Sequence, residues 1–216
     1  MKALRLVLAS GSPRRHALLA SAGVRFSAEA PDIDESPIDG EEPVAYVERL
    51  AVEKAAAVTI VPRDVILAAD TTVAVDRQIF GKPVDARDAR RMLLALSGRA
   101  HDVHTGVAVV VDGRTRTAVA TTRVTMAAYD DEDIDWYVDT GEPLDKAGAY
   151  AVGRRRAARE VHQRQRQQRR WPALGGGGRP SGRRRAPAVV VSLTRVCQQA
   201  AQVATRRWRS SSPRRR

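Results

Sequence analysis

Several residue types and patterns are scarce in this chain. Its 216 residues include a single cysteine, Cys197, and only 4% aromatic residues. One cysteine excludes an internal disulfide framework and a multi-cysteine metal cluster, and it agrees with a cytoplasmic location. No apolar run reaches the roughly 18 residues that a membrane span needs, and the run after Met1 is too short for a signal peptide. The few aromatic side chains leave little material for stacking nucleic-acid bases.

Acidic residues are almost missing from one part of the chain. Residues 153–216 contain 19 Arg, no Lys and one acid, Glu160, which gives a charge of +18. The other residues contain 18 bases and 24 acids, a charge of −6, so the net +12 is not a property of their fold. We therefore predict a domain over residues 1–152 and an Arg-rich, low-complexity, disordered tail over residues 153–216.

The spacing of apolar residues in the first part predicts strands that alternate with helices. Two long β-rich runs separated at Asp112-Gly113 indicate a hairpin. The pattern therefore predicts an α/β domain with a mixed sheet. The predicted strands lie near 4–9, 24–28, 64–69 (with a possible continuation over 71–76), 101–126 as the hairpin, and 147–152, and the predicted helices begin near 13, 44, 85 and 130.

The first candidate site is the loop Ser10-Gly11-Ser12 and the helix start Pro13-Arg14-Arg15. A helix N-terminus offers free N–H groups to an anion, and the hydroxyls of Ser10 and Ser12 add further donors. The guanidinium groups of Arg14 and Arg15 suit phosphate. A plain helix cap with two solvated arginines explains the spacing equally well.

The other candidates are carboxylates and lysines. Asp70 ends an apolar run, where open α/β sheets place their sites, and it could hold a metal ion or accept a proton from water. Glu35 could serve as a metal ligand, and Lys54 and Lys82 could bind anions. Each has a simpler interpretation when taken alone: a turn cap for Asp70, a solvated acidic loop for Glu35, and solvated side chains for the lysines.

Together these residues could bind a polyphosphate with Mg²⁺ or Mn²⁺ and attack it with water. The chain contains no Gly-x4-Gly-Lys-Ser/Thr sequence, which excludes a P-loop enzyme.

Eight short motifs over residues 4–152 resemble, in order, those of the Maf family of nucleoside triphosphate pyrophosphatases. Each motif alone is weakly specific, and the ordered set is highly specific. The motifs are Leu8-Ala9-Ser10-Gly11-Ser12-Pro13-Arg14-Arg15, Asp32-Ile33-Asp34-Glu35, Glu53-Lys54-Ala55, Ala69-Asp70-Thr71, Gly81-Lys82-Pro83, Leu96-Ser97-Gly98, Thr105-Gly106-Val107 and Pro143-Leu144-Asp145-Lys146-Ala147-Gly148-Ala149-Tyr150.

The resemblance implies cleavage of a nucleoside triphosphate to the monophosphate and pyrophosphate with a divalent metal ion. It implies that Asp70 activates water and that Glu35 and Asp70 hold the metal. It also implies an elongated two-lobed fold like that of inosine triphosphatases, and a homodimer. Arg14 and Thr71 resemble the branch of the family that hydrolyses dTTP and UTP rather than 7-methylated GTP. The phosphate and substrate ligands would be Ser10, Arg14, Arg15, Lys54, Thr71 and Lys82.

The resemblance stops at Val152, since position 153 is Gly where the family has a specificity glutamine. A one-base frameshift is one hypothesis for this departure. Residues 160–168 can be encoded so that the next frame reads Lys-Phe-Ile-Ser-Val-Asn-Gly-Ser-Asn, which is similar to the missing family segment. We then expect the C-terminal part of the fold to be incomplete and the activity to be weak or lost.

Two alternatives remain from the sequence. The Arg-rich tail could bind nucleic acid through its phosphates without sequence specificity. A role in septum formation, which the family's historical name suggests, has no physical support in these residues.

Overall fold

The computed structural model describes residues 5–59, 61–62 and 64–150, so the predicted tail lies outside the described residues. These residues form an α/β fold with six strands and four helices, as predicted. No helix within these ranges is long and apolar enough to cross a membrane. The strands are β1 Arg5–Ala9, β2 Phe26–Glu29, β3 Asp64–Val75, β4 Gln78–Phe80, β5 Ala100–Val111 and β6 Arg114–Thr125, and the helices are α1 Pro13–Ser21, α2 Pro43–Ala56, α3 Ala86–Leu96 and α4 Asp131–Asp139.

The sheet is mixed, with strand order β2-β1-β3-β5-β6 and β4 paired to β3. β1 runs parallel to β2 and β3, whereas β5 is antiparallel to β3 and forms a hairpin with β6. Asp112 and Gly113 both have positive φ in the hairpin turn, which confirms the predicted break there. A two-residue turn of this kind matches the twist of the flanking strands.

Helices cover both faces of the sheet. Ala51 and Ala55 of α2 pack on one face, against Ala68 of β3. Leu19 of α1 packs on the other face, against Leu67 of β3. Beyond this region, α3 and α4 form a second core with the later part of β3 and with β4. The strand β3 thus contributes to all three of these apolar clusters.

The long strand β3 has a gap on one edge. Its pairing with β1 ends at Ala68, opposite Ala9, and its pairing with β4 begins at Val73, opposite Phe80. Within the described ranges, no strand pairs with residues 69–72 on that edge, while β5 pairs with them on the other. We call this stretch the β3 gap. It lies at the carboxyl end of β1 and is largely buried, with Ala69, Asp70 and Thr72 shielded from solvent.

Two sequence predictions of secondary structure are wrong. The run at 64–69 does not end at Asp70, because β3 continues to Val75 as a single strand. The strand predicted over 147–152 is a short 3-10 turn at Ala147–Ala149 where it is described. Gly148 causes this difference, since its φ is +66° and its backbone packs against Val73.

Candidate active site

A buried lysine bridges two carboxylates at the β3 gap. The Lys54 Nζ atom lies 2.6 Å from Asp70 Oδ1 and 2.8 Å from Glu35 Oε1. Lys54 and Asp70 are each 6% exposed, whereas 42% of the Glu35 side chain is accessible. Buried charges need partners, and here each of the two buried groups has one. The structure therefore brings together three of the predicted site residues.

Close packing of α2 on the sheet places Lys54 over Asp70. Gly106 of β5 lies directly opposite Asp70 of β3. A Cβ atom at position 106 would lie 2.2 Å from the carbonyl oxygen of Val47 in α2. Only glycine permits this approach. Two turns further along α2, Lys54 then reaches the gap on the same face of the sheet.

The loop after β1 is organised around the Ser10 side chain. Ser10 Oγ accepts hydrogen bonds from the Ser12 amide at 3.2 Å and from Arg15 Nη1 at 3.1 Å. His16 Nε2 donates to the Ser10 carbonyl oxygen at 2.8 Å. Ser12 occupies the N-cap position of α1 as predicted, but its side chain makes no capping hydrogen bond. The hydroxyl of Ser10, rather than that of Ser12, fixes this loop.

Thr71 lies on the opposite face of β3 from Asp70, because successive side chains of a strand alternate. Its Oγ1 accepts a hydrogen bond from Arg15 Nη2 at 3.3 Å and lies 3.1 Å from Oγ1 of Thr105. Arg15 thus connects Ser10 to Thr71. The predicted residues form two groups: Ser10, Arg15 and Thr71 on the α1 face, and Lys54, Asp70 and Glu35 on the α2 face.

The loop that carries Glu35 is tied to α2. Tyr46 donates a hydrogen bond from its hydroxyl to the Glu35 carbonyl oxygen at 2.8 Å. Burial, together with the charges of Asp70 and Glu35, raises the pKa of Tyr46, so the hydroxyl keeps its proton. Arg49 binds both oxygens of Glu41 at 2.7 Å and donates to the Ser36 carbonyl oxygen. These contacts hold Glu35 beside Lys54.

The pKa of Glu35 depends on nearby cations, which include Lys82. Partial burial raises the pKa of Glu35, but the hydrogen bond and charge of Lys54 and the charges of Lys82 and Arg15 outweigh it. The net pKa is lower than its ordinary value. Lys82 itself is exposed in the predicted turn before α3. Glu35 therefore stays ionised within a field of three cations.

Arg14 lies apart from both groups. It is exposed, and its Nη2 donates to the Asp145 carbonyl oxygen at 3.1 Å. Lys146 Nζ lies 2.5 Å from Asp145 Oδ1, and this hydrogen bond, with a smaller effect of Arg14, lowers the pKa of Asp145. Arg14 thus joins the start of α1 to the segment after α4. The structure does not place it against Asp70 or Lys54.

Four residues of this region were not among the candidate site residues predicted from the sequence. Tyr46 and Arg49 orient the Glu35 loop, Thr105 meets Thr71, and Asp145 receives Arg14. The spacing of Arg49 and Glu53 in α2 was a usable signal, because residues four apart lie on one helix face, and the structure pairs them at 3.1 Å. The other contacts join distant segments and leave no trace in local spacing.

The two carboxylates suit a hard divalent cation. Mg²⁺ is commonly held by one or two carboxylates together with phosphate oxygens of the substrate. The described ranges contain no cluster of three or more His, Cys, Asp or Glu side chains that could hold a metal ion. Glu35 and Asp70 would therefore need oxygens from a bound phosphate to complete an octahedral site.

Comparison with known proteins connects this arrangement to a family. A protein from Myxococcus xanthus named dTTP/UTP pyrophosphatase is 55% identical over 149 residues, which are 68% of this chain and 75% of that protein. A protein of the same name from Symbiobacterium thermophilum is 47% identical over 155 residues, 71% of this chain and 80% of that protein.

A solved HAM1 protein from Coxiella burnetii shares 17% sequence identity, with a TM-score of 0.42, and the match covers 76% of this chain and 100% of that one. The family described as Maf-like protein matches residues 5–167, a range that includes every residue of the site and extends past Val152. The family match spans most of the chain, and the two relatives named above are about half identical to it in sequence. The chain therefore belongs to the Maf family.

Proposed function

We propose that the protein hydrolyses dTTP and UTP to the corresponding monophosphate and pyrophosphate. The observation that carries this proposal is the Lys54–Asp70 pair, 2.6 Å apart at the β3 gap beside the Ser10–Arg15 loop, in a member of the Maf family. The relatives named dTTP/UTP pyrophosphatase support the choice of substrates. The reducing cytoplasm is the location we propose for this activity, since the chain has one cysteine.

The positions of the site residues suggest a separate role for each in the reaction. Asp70 accepts a proton from the attacking water, which adds to phosphorus as the bond between the α and β phosphates breaks and pyrophosphate leaves. Cations near the leaving group stabilise its charge. Ser10, Arg15, Lys54 and Lys82 bind the phosphates, while Arg14 and Thr71 contact the nucleoside end.

A divalent ion, Mg²⁺ or Mn²⁺, would be held by Glu35 and Asp70 and would neutralise charge on the phosphates when bound. The donor set fits this role, since both residues offer carboxylate oxygens. The metal preference follows from activity measured with each ion in turn.

The test is release of pyrophosphate from dTTP and UTP by the full chain with each metal. We expect Asp70→Asn to lower kcat by about 10²–10⁴-fold, the usual contribution of a general base. Asp112→Asn, in the exposed hairpin turn, is the matched control and should retain the parent rate. Gel filtration with light scattering tests the proposed homodimer.

A chain with the shifted reading frame restored from residue 153 onward is a second reference. The proposal fails if both chains release no pyrophosphate, or if Asp70→Asn leaves the active chain unaffected. Activity of the restored chain alone would instead support the frameshift hypothesis, which the nucleotide sequence across codons 150–170 tests directly.

A further inference from the structure

We propose that Lys54 occupies the divalent-metal position in the nucleotide-free protein, so that metal ion and triphosphate enter together rather than metal first. This inference deepens the proposed function and rests on it. It assigns Lys54 a role in the order of binding, in addition to contact with phosphate.

The position of the ammonium group carries the inference. Lys54 Nζ makes short contacts with both carboxylates, 2.6 Å to Asp70 and 2.8 Å to Glu35. These are the two carboxylates that would hold the metal ion. The Lys54 side chain is buried, and it comes from the last turn of helix α2 rather than from a loop. A cation bound between Glu35 and Asp70 would therefore have to displace the lysine.

The charges determine when this displacement is favourable. An ammonium and a divalent ion compete for the two carboxylates, because like charges repel each other at contact distance. Without another anion, a displaced Lys54 would be a buried charge with no partner, which is costly. A triphosphate supplies that partner and adds oxygens for the metal. Metal and nucleotide should consequently strengthen each other's binding, because coupling between two sites is reciprocal.

Displacement of Lys54 from the carboxylates would also affect Asp70, the proposed general base. While Lys54 donates to Asp70 Oδ1, the ammonium competes with water for that oxygen. Displacement of the lysine onto phosphate would remove this competition when substrate is present.

The first test is Mn²⁺ binding to the nucleotide-free full chain, measured from the electron paramagnetic resonance signal of unbound Mn²⁺. We expect Lys54→Met to bind Mn²⁺ about tenfold more tightly than the parent, within the range common for coupled sites. Lys82→Met removes an exposed charge near the same carboxylates and is the matched control. It should tighten the binding clearly less than Lys54→Met does, because its charge is exposed and screened.

Adding Glu35→Gln to Lys54→Met should abolish the gain, which would place the ion between the carboxylates. The inference is overturned if Lys54→Met binds Mn²⁺ no more tightly than Lys82→Met. Because hydrolysis is not measured, this result stands whether or not the proposed activity is found.

A second measurement needs no variant and covers the case in which Lys54→Met does not fold. The ¹⁵N resonance of the Lys54 ammonium is followed in the unmodified chain. We expect Mg²⁺ alone to leave it unchanged, and Mg²⁺ with the non-hydrolysable probe α,β-methylene-dUTP to shift it. A shift with Mg²⁺ alone, equal to that with the probe, would contradict the inference.

Discussion

The ionisation of Glu35 depends on the cations that surround it. Its pKa in the folded protein is below the ordinary value of 4.5. A depressed carboxyl pKa stabilises the fold at pH values above the unfolded pKa, and this contribution disappears as the pH falls through the folded value. We therefore expect more than half of Glu35 to be ionised in the folded protein at pH 4.5.

Titration of the ¹³C carboxyl resonance of Glu35 checks this expectation. Lys82→Met should raise the pKa, because the charge of Lys82 contributes to lowering it. Arg87→Met, at an exposed position of α3, should leave it unchanged. A Glu35 resonance that titrates at or above the ordinary value in the parent would contradict the electrostatic description.

For single residues, the sequence predicted several of the residues that meet in the site. It did not predict the contacts that bring them together. Ser10, Arg15, Lys54 and Asp70 were candidates from residue type and motif, and the structure places them in two adjoining groups. Thr105 lies in one of the eight motifs, but it was not a site candidate, because a threonine in a β-rich run is ordinary. Its contact with Thr71 depends on the register between β5 and β3.

The packing of α2 on the sheet depends on one glycine. We expect Gly106→Ala to lower the free energy of unfolding by about 3 kcal/mol, at the upper end of typical overpacking costs. The added methyl group would meet the backbone of Val47, which cannot rotate away as a side chain could. Urea unfolding followed by circular dichroism measures the change.

Gly81→Ala is the control for this substitution. No atom lies within 4 Å of a Cβ placed at position 81, and its φ is not positive. Its stability should stay close to that of the parent. If Gly106→Ala proved as stable as Gly81→Ala, the close approach of α2 to β5 would be wrong.

At the scale of whole elements, α3 and the hairpin could be predicted because each has a local signal in the sequence. Asp85 caps α3 by accepting from the Asp88 amide at 2.7 Å, and Asp112-Gly113 forms the hairpin turn. The prediction placed a break at Asp70, with only a possible continuation over 71–76, because a charged residue usually ends an apolar run. Asp70 remains inside the strand because Lys54, from another element, neutralises it.

The distribution of charge over the whole molecule predicts weak, non-specific binding to nucleic acid. The tail sequence carries +18 and the rest of the chain −6. Changing the arginines at 154–156 and 183–185 to Gln should lower the affinity of the full chain for duplex DNA and flatten its salt dependence. The log–log slope should fall by about 0.9 for each DNA phosphate that the variant no longer neutralises. Fluorescence anisotropy at several salt concentrations measures both quantities.

Changing Arg87, Arg114 and Arg116 to Gln provides the control, because these arginines are exposed outside the tail. The tail variant loses six positive charges and the control loses three, so the decrease in binding free energy is compared per charge removed. An equal decrease per charge in both would indicate that binding follows the overall charge rather than the tail.

The β3 gap lets neighbouring residues of one strand change independently. Asp70 and Thr71 are consecutive, yet one side chain meets α2 and the other meets α1. A substitution at position 71 would act first on the α1 side, where Arg15 and Thr105 contact Thr71. On the proposed function, substrate preference could therefore drift over generations through position 71 while Asp70 keeps its contact with Lys54.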